Sequence, residues 1–265
     1  MTNLSIVLAH GVLGFGGPAN SLVSYFNGVA AHLGDQGHHV FEPQVDSIGT
    51  VEDRGSELAA KILDWQQKMS LTTQPVHIIA HSMGGLDARY AISKVKGFAP
   101  HVATLVTIGT PHRGSPVADA VEAGTGPLAG QIDPWLSDRL RRQTGALHSL
   151  TTAFAATFDP ATPDDPHVRY LEVAGDASRG SAQELLLFEL ASRIGQITGE
   201  INDGVVTKAS ALRPGHEHVV PDWPVDHAGE VGWGILTPPL FFGHPLLFFP
   251  PPPHLARYDA IVAQL

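Results

Sequence analysis

The chain contains no cysteine. Disulfides, thiolate metal centres and a cysteine nucleophile are therefore excluded. Basic residues are also few, with 16 Lys and Arg against 26 Asp and Glu, for a formal net charge of -10. Phosphate backbones are held by a basic face, so no nucleic-acid partner is expected, and docking on anionic membranes is disfavoured. Neutral substrates are untouched by that argument. Apolar runs stay well short of the roughly 18 residues that a membrane-spanning helix requires, so no integral membrane association is expected. The first ten residues lack a basic start and an apolar stretch ending in a cleavage site. Two localisations fit: cytoplasmic, or secreted with the leader absent from this sequence. Nucleotide signatures are missing as well. Gly11, Gly14, Gly16 and Gly17 do not spell G-x-G-x-x-G, and no Gly-Lys-Ser/Thr of a P-loop occurs.

What is present reads as a folded α/β domain. The 265 residues, 43% apolar and 16% charged, suit one domain spanning 1–265 with a sizeable core. Short apolar runs at 4–9, 39–41, 75–80, 101–108 and 168–174 read as strands. Helical spacing covers 20–33, 51–69 and 86–95, with Leu58, Ile62 and Trp65 on one face of the second. Glu57 and Lys61 there form a favourable i,i+4 pair. Strands alternating with helices predict a mostly parallel central sheet flanked by helices, with the loops after the strands gathered on one edge. Residues 116–166, rich in Ala, Gly, Thr and Pro, read as an insertion over that edge, a lid-like cap. The tail at 236–253 carries Phe241, Phe242, Phe248 and Phe249 before a run of four prolines. Core packing accounts for those aromatics as readily as an acyl pocket does.

Ala80-His81-Ser82-Met83-Gly84-Gly85 lies between a predicted strand and a predicted helix. That is the setting of a nucleophile elbow, in which small residues on either side of a serine let strand and helix approach closely. The serine hydroxyl then sits at a helix N-terminus, where negative charge is favoured. A serine that merely caps an ordinary helix has the same local pattern. Acyl transfer also needs two N–H donors for the oxyanion. Met83 follows the serine, and Val12 sits in the glycine-rich turn after the first strand. His10, Gly11, Leu13 and His81 flank these positions and are expected to bind substrate.

The segments His10-Gly11-Val12-Leu13-Gly14-Phe15, Ala80 to Gly85, and Gly109-Thr110-Pro111-His112-Arg113-Gly114-Ser115 together resemble the bacterial triacylglycerol lipases of the Pseudomonas and Burkholderia type. The likeness runs from about residue 6 to 115 and resumes near 202–227. It implies the α/β-hydrolase fold, an ester or lipid substrate, and a Ser-His-Asp triad working through an acyl-enzyme. In that fold the chain order is Ser, then acid, then His. Asn202-Asp203-Gly204 is similar to the family's acid-bearing turn, which makes Asp203 the acid, with Asp176 the rival. Val225-Asp226-His227 is similar to the histidine segment, which makes His227 the base ahead of His216, His218, His244 and His254. The resemblance also implies a structural calcium held partly by an Asp two residues after that histidine. Gly229 stands there, so calcium is weakly expected at most, no metal site is assigned, and no cofactor is required. The same elbow serves polyesters, amides or lactones, and a catalytically inactive binding module shares the fold. Oligomeric state, acyl-chain preference and any need for a folding helper leave no signature.

Overall fold

A computed structural model of the chain describes residues 3–12, 24–132, 134–142, 144–180, 187–233 and 254–265. Six strands form one sheet: β1 (Ser5–Ala9), β2 (His39–Phe41), β3 (Val76–His81), β4 (Val102–Ile108), β5 (Arg169–Val173) and β6 (Glu217–His218). Their order is β2-β1-β3-β4-β5-β6, and every neighbouring pair is parallel. The helices are α1 (Val29–Asp35), α2 (Val51–Lys68), α3 (Met83–Lys94), α4 (Pro116–Ala123), α5 (Pro134–Arg141), α6 (Thr144–Ser149), α7 (Thr152–Ala161), α8 (Phe188–Thr198), α9 (Lys208–Ala211) and α10 (Leu255–Val262).

A parallel strand buried on both faces reads as a continuous apolar run, and alternate residues point to opposite sides. In β1, Ile6 and Leu8 join Phe26, Val29, Leu33 and the α10 residues Tyr258 and Ile261 on one side. Val7 and Ala9 join Leu58 and Ile62 of α2 and Ala88, Ala91 and Ile92 of α3 on the other. The split repeats in β3, with Ile79 in the first layer and Ile78 and Ala80 in the second. A third cluster lies over the strand C-ends, where Val117, Val121, Leu147, Leu150 and Phe158 pack on Met83 and Leu86.

Local chemistry sets the helix starts. The Thr50 side chain accepts the Asp53 N–H at the head of α2, and Glu52 and Asp53 complement the dipole there. Trp65 stacks on Phe41 at 5.2 Å rather than joining the fully buried face. The Glu57–Lys61 pair forms at 2.7 Å but is exposed enough to contribute little. The first predicted helix is shorter than its periodicity suggested. It begins at Val29, because Gly28 precedes it at φ 76°, a left-handed conformation that cannot continue a helix. The stretch at 116–166 is helical throughout most of its length, as α4 to α7. The phenylalanines of the tail, and Leu13, lie outside the described residues.

Candidate active site

β3 delivers Ser82 at the head of α3 with φ 56° and ψ -130°. A non-glycine residue at positive φ is strained, and such strain persists only where the surroundings impose it. Here the Ser82 N–H donates to the Ile108 carbonyl at 2.9 Å, and the Ser82 carbonyl accepts Thr110 Oγ1 at 2.9 Å. The turn is tight because α3 starts directly against β1. A Cβ on Gly84 would lie 2.4 Å from the Ala9 carbonyl oxygen and 2.8 Å from that of His10. Neither is a side chain that can swing aside. Gly84→Ala is therefore expected to destabilise the fold by about 1–3 kcal/mol, read as a lowered urea midpoint at unchanged slope.

Ser82 opens onto a cavity of about 110 Å³ that it shares with His227, Val12 and Tyr25. Val117, Ala118, Leu147 and Leu150, all from the stretch read as a cap, close its apolar side. Met83 is fully buried at the first position of α3, where backbone N–H groups lack an intrahelical partner. A larger cavity of about 370 Å³ lies between α8 and Asn202, lined by Ser178, Phe188 and Ser192 among others. It contains neither Ser82 nor His227, so volume alone does not mark the chemistry.

His227 Nδ1 lies 2.8 Å from Asp203 Oδ2, and the His227 N–H donates to the Asp203 carbonyl at 2.8 Å. The other Asp203 oxygen accepts the N–H groups of Val205 and Val206. Asp203 is thus fixed by its own turn, as the Asn-Asp-Gly pattern suggested. Asp176 caps the turn at Ser178 instead. His216 and His218 sit in an ionic cluster with Asp164, Arg213 and Glu172, and His254 bonds the Asn27 carbonyl.

A second carboxylate reaches the same imidazole. Glu230 Oε2 is 3.4 Å from His227 Nδ1 and 3.0 Å from His81 Nε2, and Glu230 is fully buried. Gly109 makes room for it: at φ 54°, a Cβ there would strike Glu230 Oε2 at 2.2 Å. Burial would push the His227 pKa down, but Asp203 and then Glu230 outweigh it and hold the imidazolium above its ordinary range. Burial raises the carboxyls of Asp203 and Glu230, with His227 opposing. His81, His227 and Glu230 place their ligand atoms within 4.8 Å of one another. Those atoms are already engaged in hydrogen bonds, and the group is read as a hydrogen-bonded cluster rather than a metal centre. A calcium beside His227 does not fit either. Residue 229 has no carboxylate, and Asp226 spends both oxygens on the Leu187 and Gly229 N–H groups.

Two of the residues expected at the substrate, His81 and His10, turn away from the cavity. His81 is 2% exposed and turns inward, between Tyr25 Oη at 2.7 Å and Glu230. His10 is equally buried, its Nε2 accepting the Val45 N–H. Polar partners hold both histidines there, Tyr25 and Glu230 for His81 and the Val45 N–H for His10. A Cβ on Gly11 would lie 2.7 Å from Ser82 Cβ and from Tyr25 Oη, so the glycine lets the chain pass close to two residues that line the cavity. Conversely, Tyr25 lines the cavity with no signal in its own segment. Glu230 had one: in the 3-10 turn Gly229–Val231 its spacing of three from His227 places both on one side.

A family model described as a PGAP1-like alpha/beta domain matches residues 55–124. Triacylglycerol lipase 2 of Saccharomyces cerevisiae is 32% identical over 155 residues, 56% of this chain and 44% of that protein. The triacylglycerol lipase of Burkholderia plantarii is 36% identical over 203 residues, 69% of this chain and 53% of that protein. The chain thus spans about half the length of these curated relatives. Among solved structures, the mature Bacillus licheniformis lipase BlEst2 superposes with a TM-score of 0.68 at 25% identity, over 86% of each chain. The Staphylococcus hyicus lipase, at 18% identity and a TM-score of 0.66 over 98% and 94% of the two chains, shares the fold.

Proposed function

This chain belongs to the α/β-hydrolase superfamily, alongside the bacterial triacylglycerol lipases, and we propose that it is a serine hydrolase of carboxylic esters. One observation carries the reading: a strained serine at a strand–helix elbow shares an apolar cavity with a histidine that is bonded at 2.8 Å to a buried aspartate. In this reading Ser82 Oγ attacks the ester carbonyl carbon while His227 Nε2 takes its proton. Asp203 holds Nδ1–H, which fixes the tautomer and stabilises the imidazolium. The N–H groups of Val12 and Met83 receive the charge that develops on the carbonyl oxygen. His227 then returns the proton to the departing alcohol, leaving an acyl-Ser82. Water, deprotonated by the same imidazole, attacks that acyl group, and the acid leaves as Ser82 recovers its proton. No cofactor enters any step. The acyl chain packs among Val117, Ala118, Leu147 and Leu150, and α4 to α7 act as the lid.

The test is a p-nitrophenyl ester series from acetate to palmitate, paired with labelling by a fluorophosphonate and peptide mass spectrometry. Turnover on esters with the label on Ser82 is the expected result, and the chain-length optimum separates esterase from lipase. A label elsewhere refutes the assignment of Ser82. A labelled Ser82 without ester turnover transfers the case to amides or polyesters.

A further inference from the structure

Ester hydrolysis as read above uses Ser82, His227, Asp203 and two backbone N–H groups. It leaves a line of polar side chains behind His227 without a task, His81 and Glu230 buried and Tyr25 part-buried. Tyr25 Oη lies 2.7 Å from His81 Nδ1, His81 Nε2 lies 3.0 Å from Glu230 Oε2, and Glu230 Oε2 lies 3.4 Å from His227 Nδ1. The His81 ring also lies against that of His227, with centroids 4.5 Å apart and the planes tilted by 41°. Tyr25 comes from the segment before α1, His81 from the end of β3, and Glu230 from the turn after His227. Such side chains are brought into one hydrogen-bonded line only by the fold, and buried polar atoms left unpaired are costly.

The proton positions along this line follow from what each group can do. The Tyr25 phenol keeps its proton, because burial pushes its pKa far above the usual value, with a smaller opposing effect from the Gly11 N–H. Directed at His81 Nδ1, 2.7 Å away, that proton makes Nδ1 the acceptor nitrogen. Burial, and secondarily His227, hold His81 neutral, so its single N–H is on Nε2 and faces Glu230. Glu230 Oε2 therefore receives hydrogen bonds and need not carry a proton of its own. A neutral imidazole with its tautomer reversed would present a bare Nε2 and draw a protonated Glu230 instead.

We propose that Tyr25 and His81 are positioning residues that fix Glu230 as an acceptor beside His227, Tyr25 doing so by locking the His81 tautomer. Tyr25 is also a wall of the Ser82 cavity, so the lock begins at the surface that substrate touches. The charged and titratable groups facing His227 and Glu230 are Asp203, His81, Asp226, Arg257 and Tyr258, and the hydrogen bond at His81 Nδ1 comes from Tyr25 rather than from any of these. The effect on turnover rests on the ester-hydrolase reading, whereas the lock itself does not.

The test uses the full chain carrying Ser82→Ala, so that no turnover is required. Imidazole nitrogen shifts are followed by NMR across pH, with and without Tyr25→Phe. The expected result is that His81 changes from the Nε2–H to the Nδ1–H tautomer and that the His227 pKa falls by roughly one pH unit, a tenfold loss of proton affinity. A merely structural role for the phenol moves neither signal. His81→Gln supplies the second arm, because an amide has no tautomer to reverse. In that background Tyr25→Phe is expected to leave the His227 titration unchanged. An unshifted His227 with the phenol removed overturns the proposal, as does an equal shift in the presence and absence of His81. Failure of the ester assay, in contrast, bears on the reaction alone and leaves these titrations standing.

Discussion

Replacing Ser82 with alanine is expected to lower kcat on p-nitrophenyl esters by about 10⁴- to 10⁶-fold while KM changes little. The hydroxyl is the only atom removed, and the walls of the cavity stay. What survives is the stabilisation that backbone N–H groups at the head of α3 and at Val12 give a water attack, which accounts for a residual rate above the uncatalysed one. A Ser82→Ala/His227→Ala double variant is expected to be no slower than Ser82→Ala alone, because the two side chains act as a unit. Steady-state kinetics on the four proteins check both statements. Independent, multiplicative losses would mean that His227 does not serve the Ser82 hydroxyl. Thermal stability should barely move, since alanine keeps the positive φ that the Ile108 and Thr110 contacts impose.

Arg54→Met is expected to destabilise the protein by about 3–5 kcal/mol, the usual cost of removing one partner from a buried ion pair. Arg54 is fully buried in α2 and Asp87 is 1% exposed in α3, with Nη2 to Oδ2 at 2.7 Å. The same guanidinium donates to the carbonyl of Asp46 at 2.6 Å and to that of His10 at 3.0 Å, so it ties α2, α3 and the loop after β1 together. It does not follow that the pair is strongly stabilising. Burial raises the Asp87 pKa from 3.8 to about 6, with Arg54 only partly opposing. A carboxyl whose pKa is raised on folding holds its proton more tightly in the folded state. Its contribution therefore favours the fold fully below pH 3.8 and is lost as pH rises through about 6. Without Arg54 the carboxylate has no counter-charge, so the defect of Arg54→Met is expected to be larger at pH 8 than at pH 5. Denaturation at the two pH values measures this. Converting both residues, Arg54→Met with Asp87→Leu, is expected to recover most of the loss. An equal defect at both pH values would show that the unsatisfied carbonyls of Asp46 and His10, not Asp87, carry the cost.

The sheet was legible because buried parallel strands leave unbroken apolar runs, as at Ile6 to Ala9 and Val102 to Ile108. β6 was not, since its two residues, Glu217 and His218, are exposed and polar. The elbow could be read because its constraint is steric and local: Gly84 must be small wherever α3 meets β1. The partnership of His227 with Asp203 followed from segments resembling the lipases, and the geometry places them together. Tyr25 escaped notice for a physical reason. It meets His81 from 56 positions away in the chain, through the tertiary fold alone, and a tyrosine off the apolar face of the spacing read at 20–33 points to no partner. His10 and His81 misled for the converse reason, since closeness to a motif in the chain does not tell which way a side chain points.

The six strands are all parallel, and none is joined to its neighbour by a tight turn. Every pairing in the sheet must wait for an intervening stretch of chain to cross over, and the first of them, between β1 and β2, already encloses α1. Folding that depends on such distant contacts is slow. Ser82 and Asp203 stand more than a hundred positions apart, and His227 follows β6, the last strand among the described residues. A ribosome must therefore release nearly the whole domain before the imidazole has any carboxylate or hydroxyl to meet. Until then Ser82 waits at the head of α3 with neither the imidazole nor the carboxylate beside it, because both come from segments far later in the chain.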